Sequence, residues 1–335
     1  HQGKEFNMKV CVFGAGALGG HLAAYLIAAK QCEVSLVGRG PMLAGIRERG
    51  LTLQTGGKEI GGRPAAATDD PVSLPPQDIV FTGLKAQMLP AAAEAIGKLV
   101  KPDGTVVVLL NGIPWWFNYG MSGDRGKQGT LPLLDPDGGL WKHIRPERVI
   151  GAVSYSPNAI IAPGIIKHTL QNRWVFGEPD NSSSTRLAQV AKLVGDSGID
   201  TKATNDIRSG LFRKAVGNAP NNTLGALTRL DTAQIASDEG LARLAVGIIN
   251  ETVAVAARLG FDLTKEINAE DIVSRARGRP GMRPSTAQDA LAGKSLEVDG
   301  LLGQTQAFGR ELNVPTPVID VCYALLCGLD RSFRK

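Results

Sequence analysis

A lysine and two asparagines recur at four-residue intervals within a largely apolar segment. Lys214, Asn218 and Asn222 stand at i, i+4 and i+8, which places them along one face of a predicted helix. An ammonium group can donate a proton to a substrate, and amides can hold a polar ligand. A solvated lysine beside two surface amides would show the same spacing, and Pro220 can kink the helix before Asn222. The spacing alone leaves a reactive strip and a plain surface face both open.

A glycine-rich turn stands near the start of the chain. Residues 14–19 match the pattern G-x-G-x-x-G, follow a predicted strand at residues 8–14 and open a helix of small residues. In that context the first glycine turns the chain, the second admits a pyrophosphate and the third allows close helix packing. The helix N-terminus adds N–H groups for the phosphates. We therefore predict a dinucleotide site at Gly14, Ala15, Gly16, Ala17, Leu18 and Gly19, rather than a glycine turn that only packs.

The second predicted strand, at residues 32–38, ends beside Arg39. A fold that binds NAD usually offers Asp or Glu there to the ribose hydroxyls. A guanidinium can instead pair with a 2′-phosphate and stack on adenine, whereas a carboxylate would repel the phosphate. We therefore expect NADP, used as NADPH, with Arg39 on its 2′-phosphate. The alternative is that Arg39 is simply solvated.

The composition of the 335-residue chain is that of an ordinary folded protein, with 43% hydrophobic and 21% charged residues. No apolar run approaches the roughly 18 to 20 residues that span a bilayer, and the net charge of +5 is spread along the chain. The four cysteines lack CxxC spacing, and no Cys/His cluster suits a metal. We expect a cytoplasmic protein that binds an anionic small molecule and no nucleic acid, membrane or metal. Residues 1–7 precede Met8, which we interpret as the natural start.

Apolar runs that alternate with helical patterns dominate the first part of the chain and predict a parallel sheet. Beyond about residue 205 helical patterns take over. The predicted fold class is an α/β Rossmann-like dinucleotide-binding domain at residues 8–204, followed by a mostly α-helical domain at residues 205–335. Further strands are predicted at residues 78–85, 104–111, 149–155, 164–170 and 173–177, and a hairpin turn at Gly56-Gly57.

Several segments together resemble the ketopantoate reductase (2-dehydropantoate 2-reductase) family over almost the whole chain. The matching segments are GAGALG at 14–19, GLKA at 83–86, LNG at 110–112, the helix that carries Lys214, STAQD at 285–289 and SLEVDGLLG at 295–303. The resemblance implies reduction of 2-dehydropantoate to pantoate by NADPH, a step of pantothenate biosynthesis, and a homodimer that pairs through the helical domain.

The resemblance also implies roles for individual residues. Lys214 would be the general acid, and Glu297, which begins an E-x-D pattern ending at Asp299, would accept a substrate hydroxyl and support the lysine charge. Lys85 and Asn111 would lie near the nicotinamide and the reacting carbonyl, at carboxyl ends of strands. The substrate would be bound by Asn111, Asn218, Asn222 and Ser285.

The chain departs from the family pattern after Gly112, where Trp115-Trp116-Phe117 and a glycine-rich segment follow. We interpret residues 113–148 as either a substrate lid or a disordered excursion. The aromatic residues would line a pocket for a larger 2-oxo acid, or cover a dimer surface or core edge. Reduction of another, larger 2-oxo acid is therefore the alternative activity, and an NADPH-sensing binding module is the non-enzyme alternative.

Overall fold

The computed structural model describes residues 8–334, which form two compact units. The first unit contains the chain up to Leu110 and Pro114–Ile207, and the second contains Asn111–Ile113 and the chain from Arg208 onward. Residues 1–7, interpreted above as preceding the natural start, and residue 335 lie outside the described part. The division into domains between residues 204 and 205 stays a prediction.

The strands lie mainly in the first half of the chain. They are β1 Lys9–Phe13, β2 Glu33–Val37, β3 Leu51–Thr55, β4 Lys58–Gly62, β5 Ala66–Thr68, β6 Gln77–Thr82, β7 Val100–Leu109, β8 Val149–Tyr155, β9 Asn158–Ala162, β10 Ile165–His168, β11 Arg173–Gly177 and β12 Asp200–Thr204. The first unit's helices are α1 Ala17–Ala29, α2 Gly40–Arg49, α3 Leu89–Leu99, α4 Gly123–Gln128 and α5 Thr185–Asp196, with short 3-10 turns at Pro71–Ser73, Ala86–Met88 and Pro146–Arg148 and a π-turn at Leu140–Ile144.

Eight strands of the first unit form one sheet in the order β12-β11-β8-β7-β6-β1-β2-β5. The run from β5 to β8 is parallel throughout, because each of its pairs is a parallel ladder. The sheet changes winding direction at β1, between β2 and β6, which is the arrangement of a doubly wound nucleotide-binding fold. Its core strands are buried on both faces, as in Val10–Phe13, and so read as continuous apolar runs. The predicted Rossmann-like fold class is confirmed.

A second sheet of the first unit contains four strands in the order β4-β3-β10-β9. The hairpin predicted between β3 and β4 is present, and Gly56 and Gly57 both have positive φ, +54° and +76°. Strands β5, β9 and β12 were not predicted. All three are edge strands with half-exposed residues, and a sheet edge imposes no full apolar pattern on the sequence.

The segment at residues 113–148 is packed into the fold, so its interpretation as a disordered excursion is wrong. Trp115, Trp116 and Phe117 are buried, with 2%, 1% and 0% exposure. Trp116 lies against β8, where a Cβ on Gly151 would come within 2.6 Å of its ring. Asp135 accepts hydrogen bonds from the backbone N–H groups of the following π-turn, at 2.9 and 3.0 Å. The aromatic residues anchor the segment in the core, which suits neither an opening lid nor a dimer surface.

The second unit is helical among its described residues, as predicted. Its helices are α6 Ile207–Thr228, α7 Thr232–Ser237, α8 Glu239–Arg258, α9 Ala269–Ala276, α10 Ser285–Leu291, α11 Gln304–Glu311 and α12 Pro317–Phe333, with a π-turn at Asp299–Gly303 before α11. Over residues 8–334, α8 is the one helix long and apolar enough to cross a bilayer by length and composition. Its buried residues Ile248, Ile249 and Val253 belong to this unit's apolar core, and a core helix meets the same criteria.

Candidate active site

Packing forces glycine at two positions of the turn between β1 and α1. Gly14 has a φ of +108°, and a Cβ there would lie 2.8 Å from the backbone of Gly83, while a Cβ on Gly19 would lie 2.1 Å from Gly14 O. Gly14 N–H donates to Val37 O at 2.8 Å, which ties the start of the turn to the end of β2. The close approach holds α1 against the end of β1. A substitution at either position therefore disturbs the turn itself.

Gly16 is different, because the protein itself leaves room for a side chain there. A Cβ at Gly16 would meet only Gly83 O, at 3.7 Å, and the backbone has an ordinary extended conformation. Gly16 is the N-cap of α1, and no side chain caps the helix. The first-turn N–H groups are thus available to an anion. A turn kept clear of side chains at this point fits a dinucleotide pyrophosphate.

Two further cofactor candidates lie in the same unit. Arg39 follows β2 and is the N-cap residue of α2, with its side chain exposed. Lys85 follows β6 and precedes the 3-10 turn at Ala86–Met88, and its side chain is half-buried. Strands β2 and β6 are the two parallel neighbours of β1. Arg39 and Lys85 therefore both lie at carboxyl ends of the central strands, where open α/β sheets bind ligands.

In the second unit, Lys214 and Asn111 are joined across 103 positions of sequence. Lys214 Nζ donates a hydrogen bond to Asn111 Oδ1 at 2.7 Å. Lys214 projects from the first half of α6, and Asn111 belongs to the short segment Asn111–Ile113 that groups with this unit. Both side chains are half-buried. The structure thus brings together two residues that the family resemblance assigned to the reacting carbonyl.

Two opposing effects act on the pKa of the Lys214 amine. Burial lowers the pKa of the Lys214 amine from its ordinary value of 10.5 to about 8, and the Glu297 carboxylate opposes this effect. Glu297 itself is 9% exposed. An amine with a pKa near 8 is mostly protonated at neutral pH and gives up its proton readily. Such an amine has the proton affinity that general acid catalysis requires.

Asn222, eight residues beyond Lys214, connects α6 to α10. Its side chain is 1% exposed, and Nδ2 donates to Asn218 O and Asn218 Oδ1, both at 2.9 Å. Its Oδ1 accepts from Thr286 N–H at 3.0 Å and from Ser285 Oγ at 3.4 Å. Helix α6 continues through Pro220 to Thr228. Three predicted substrate residues are therefore neighbours: Asn218 is half-buried, Ser285 is exposed, and Asn222 is buried beneath them.

Two family models match this chain. The model described as ketopantoate reductase PanE/ApbA matches residues 10–122, and the model of its C-terminal part matches residues 206–330. The 2-dehydropantoate 2-reductase of Mesorhizobium japonicum is 36% identical over 320 residues, which cover 95% of this chain and 97% of that one. The chain belongs to the ketopantoate reductase family. The resemblance inferred from the motifs is confirmed, and with it the prediction of an oxidoreductase that depends on NAD or NADP.

Two solved structures align with 98% of the length of this ketopantoate reductase family member. The 2-dehydropantoate 2-reductase of Methylococcus capsulatus has a TM-score of 0.80 and 26% identity, and covers 98% of each chain. D-mandelate dehydrogenase, solved in a ternary complex with NADH and anilino(oxo)acetate, has a TM-score of 0.81 and 21% identity, and covers 98% of this chain and 100% of that one. The second likeness shows a shared fold.

Asp299 is the second acid of the E-x-D pattern in this ketopantoate reductase family member. It accepts a hydrogen bond from a residue that the motifs did not indicate. Tyr323 Oη, from α12, donates to Asp299 Oδ1 at 2.7 Å. Burial, and then the Asp299 carboxylate, raise the pKa of Tyr323 above its usual range. Among residues 8–334 no group of three or more His, Cys, Asp or Glu side chains is placed to hold a metal ion. No sequence pattern marks Tyr323, because it lies 24 residues beyond its partner.

The Lys214 amine should titrate with a midpoint of about 8 in the free protein. The measurement is ¹³C NMR of lysine-labelled enzyme across pH 6 to 11, with Lys214→Met identifying the signal. Glu297→Gln should lower the midpoint further, because it removes the carboxylate that favours the charged amine. A Lys214 midpoint at the ordinary lysine value would show that the amine is not desolvated.

Proposed function

We propose that this enzyme reduces 2-dehydropantoate to pantoate with NADPH, as a cytoplasmic step of pantothenate biosynthesis. The observation that carries the proposal is the hydrogen bond between Lys214 and Asn111, on an amine whose pKa burial lowers to about 8. Membership of the ketopantoate reductase family supports this substrate. The Mesorhizobium japonicum relative, which aligns with this chain over 97% of its own length, is named 2-dehydropantoate 2-reductase. Fractionation of cells that express the protein, with the protein in the membrane fraction, would contradict the location.

The reaction needs a proton for the oxygen of the ketone as that oxygen gains negative charge. When bound, NADPH supplies the hydride that goes to the keto carbon. The Lys214 ammonium donates a hydrogen bond to the ketone oxygen and then transfers its proton, which balances the incoming hydride and leaves a hydroxyl group. Asn111 Oδ1 accepts from Lys214 Nζ in either protonation state and so keeps the amine oriented. The site returns to its starting state when the amine takes a proton from solvent.

The remaining predicted site residues are assigned by their burial and by the charge or hydrogen bonds that they contribute. Glu297 accepts a hydrogen bond from the substrate hydroxyl and favours the charged form of Lys214. Asn218 and Ser285 bind the substrate, because their side chains are only partly buried. Asn222 acts indirectly, since both its oxygen and its amide nitrogen are already engaged inside the unit. It positions Asn218 and the start of α10.

The cofactor assignment rests on the turn at Gly14 to Gly19 and on Arg39. The turn keeps Gly16 clear of side chains for the pyrophosphate, and Lys85 lies beyond a neighbouring strand for the nicotinamide side of the site. Arg39 stands, exposed, where an NAD-specific fold would carry a carboxylate. A guanidinium at that point favours the 2′-phosphate of NADPH.

A panel of 2-oxo acids, each assayed with NADPH, tests the substrate. We expect 2-dehydropantoate to have the highest kcat/KM. 3,3-Dimethyl-2-oxobutanoate, which differs only in lacking the hydroxyl, should be poorer by about 100-fold or more, because Glu297 would lose its buried partner. A preference for a larger acid such as phenylglyoxylate would support the alternative activity, and no turnover of any acid would support a binding module. The aromatic residues that suggested a larger substrate are core residues, which weakens that alternative.

Lys214→Ala should lower kcat by about 10²- to 10⁴-fold, because it removes the proton donor. In the unaltered enzyme kcat/KM should fall as pH rises through about 8, since the reactive ammonium form of the free enzyme is lost there. The control is Lys98→Ala, which removes an exposed lysine paired with Glu94 on α3 and should leave kcat unchanged. Full activity in Lys214→Ala would show that another group donates the proton.

Arg39→Gln should raise the KM for NADPH about tenfold to a hundredfold, because a charge-assisted pair with the 2′-phosphate is lost. The KM for NADH should change little, since NADH carries no such phosphate. Arg49→Gln, on the last turn of the same helix, is the matched control and should leave both values unchanged. An equal loss for both cofactors would mean that Arg39 contributes only to folding.

We also propose a homodimer through α12, which carries an exposed apolar stripe. Val321 and Leu325 are 61% and 57% exposed, Ala324 is exposed beside them, and a Cβ on Gly328 would meet open space. These positions share one helical face. Leu325→Glu should convert the protein to a monomer in sedimentation, whereas Val72→Glu, at an even more exposed apolar site in the first unit, should not. A monomeric unaltered protein would refute the dimer.

A further inference from the structure

The segment that carries Asn111 is fixed by backbone contacts with the π-turn before α11. Ile113 N–H donates to Gly300 O at 2.9 Å. The segment Asn111–Ile113 groups with the second unit, although Leu110 and Pro114 on either side group with the first. Three residues therefore leave one unit to pack in the other. The contact with Gly300 is the backbone hydrogen bond that holds them there.

Gly112 makes this contact sterically exclusive. Its φ is +83°, and a Cβ at this position would lie 1.9 Å from Gly300 O and 2.4 Å from Gly300 C. Both atoms are backbone, so neither can rotate aside as a side chain would. Only glycine combines this φ with so close an approach. The Asn-Gly pair thus rests on Gly300 with no room for adjustment.

The π-turn that presents Gly300 is itself fixed from α12. Asp299 accepts from Tyr323 Oη at 2.7 Å, and a Cβ on Gly303 would lie 2.7 Å from the Tyr323 ring. Leu301 and Leu302 are buried, at 5% and 0% exposure. A π-turn within a helix often marks a functional position. Here it directs the Gly300 carbonyl toward Ile113.

We propose that Gly112 is a positioning residue for catalysis: by resting on Gly300 it holds Asn111 Oδ1 at Lys214 Nζ. Its effect on turnover rests on the proposed function, whereas its effect on the Lys214 amine does not. A displaced Asn111 removes an acceptor from the amine. The charged form is then less favoured, and the substrate oxygen meets a misplaced donor.

The test is Gly112→Ala in the full-length protein, with Lys214 followed by ¹³C NMR and kcat measured with 2-dehydropantoate. We expect the Lys214 midpoint to fall by the same amount as in Asn111→Ala, because both variants remove the same acceptor. We expect kcat to fall about 100-fold, the scale of a roughly 1 Å misplacement. The double variant should match the single variants, since both act on one interaction.

The matched control is Gly260→Ala in the same unit. Gly260 has a φ of +95° and open space around a Cβ, so alanine there carries the strained backbone without a contact. Its Lys214 midpoint and kcat should equal those of the unaltered enzyme. A gentler variant, an ester in place of the peptide bond between Gly112 and Ile113, removes the N–H that donates to Gly300 O without adding a side chain and should lower kcat about threefold to tenfold. It serves if Gly112→Ala does not fold.

Several outcomes would overturn the positioning role. An unchanged Lys214 midpoint and kcat in folded Gly112→Ala or in the ester variant would do so. Losses that multiply in the double variant would too, because they would place Gly112 and Asn111 in separate functions. A shifted Lys214 midpoint, in an enzyme that turns over no 2-oxo acid, would instead refute the proposed function and support the positioning role.

Discussion

The reactive centre depends on the hydrogen bond from Lys214 Nζ to Asn111 Oδ1. An amine taken partly out of water loses hydration, which is why its pKa falls to about 8, and an amine without an acceptor would lose more. Asn111 supplies a neutral acceptor that orients the amine and bonds most strongly to its charged form, and Glu297 supplies the opposing charge. A carboxylate in place of Asn111 would hold the proton too firmly. The combination leaves an ammonium that is both present at neutral pH and ready to react.

Glycine serves three physical purposes in this chain, and the contacts separate them. Gly14 is fixed by crowding against Gly83, Gly19 by crowding against Gly14, and Gly112 by crowding against Gly300. A Cβ on Gly16 would meet only Gly83 O, at 3.7 Å, so protein packing does not require glycine there, and the proposed pyrophosphate site would. Gly260 needs only its positive φ. The same residue type in a motif therefore carries different consequences, and only the distances to its neighbours distinguish them.

Sequence patterns predicted the elements whose burial is regular. The strand Lys9–Phe13, the glycine turn and the Gly56-Gly57 hairpin follow from local rules, since two-sided burial or a positive φ restricts the residues allowed. The edge strands β5, β9 and β12 were missed because an exposed edge imposes no such restriction. The packing of Trp115 and Trp116 was left open because it depends on distant partners such as Gly151. Local residue spacing does not predict which residues distant in the sequence a side chain will contact.

The helical stripe of Lys214, Asn218 and Asn222 shows the limit of spacing as a guide to function. A four-residue interval places side chains on one face of a helix. The same face can be partly exposed at one end of the helix and buried in the core at the other. Along α6 the exposure falls from half-buried at Lys214 and Asn218 to 1% at Asn222. A buried amide must satisfy its own polar atoms, and Asn222 does so with Asn218 and Thr286. The third residue of the stripe, Asn222, therefore holds α10, and through it Ser285, in place.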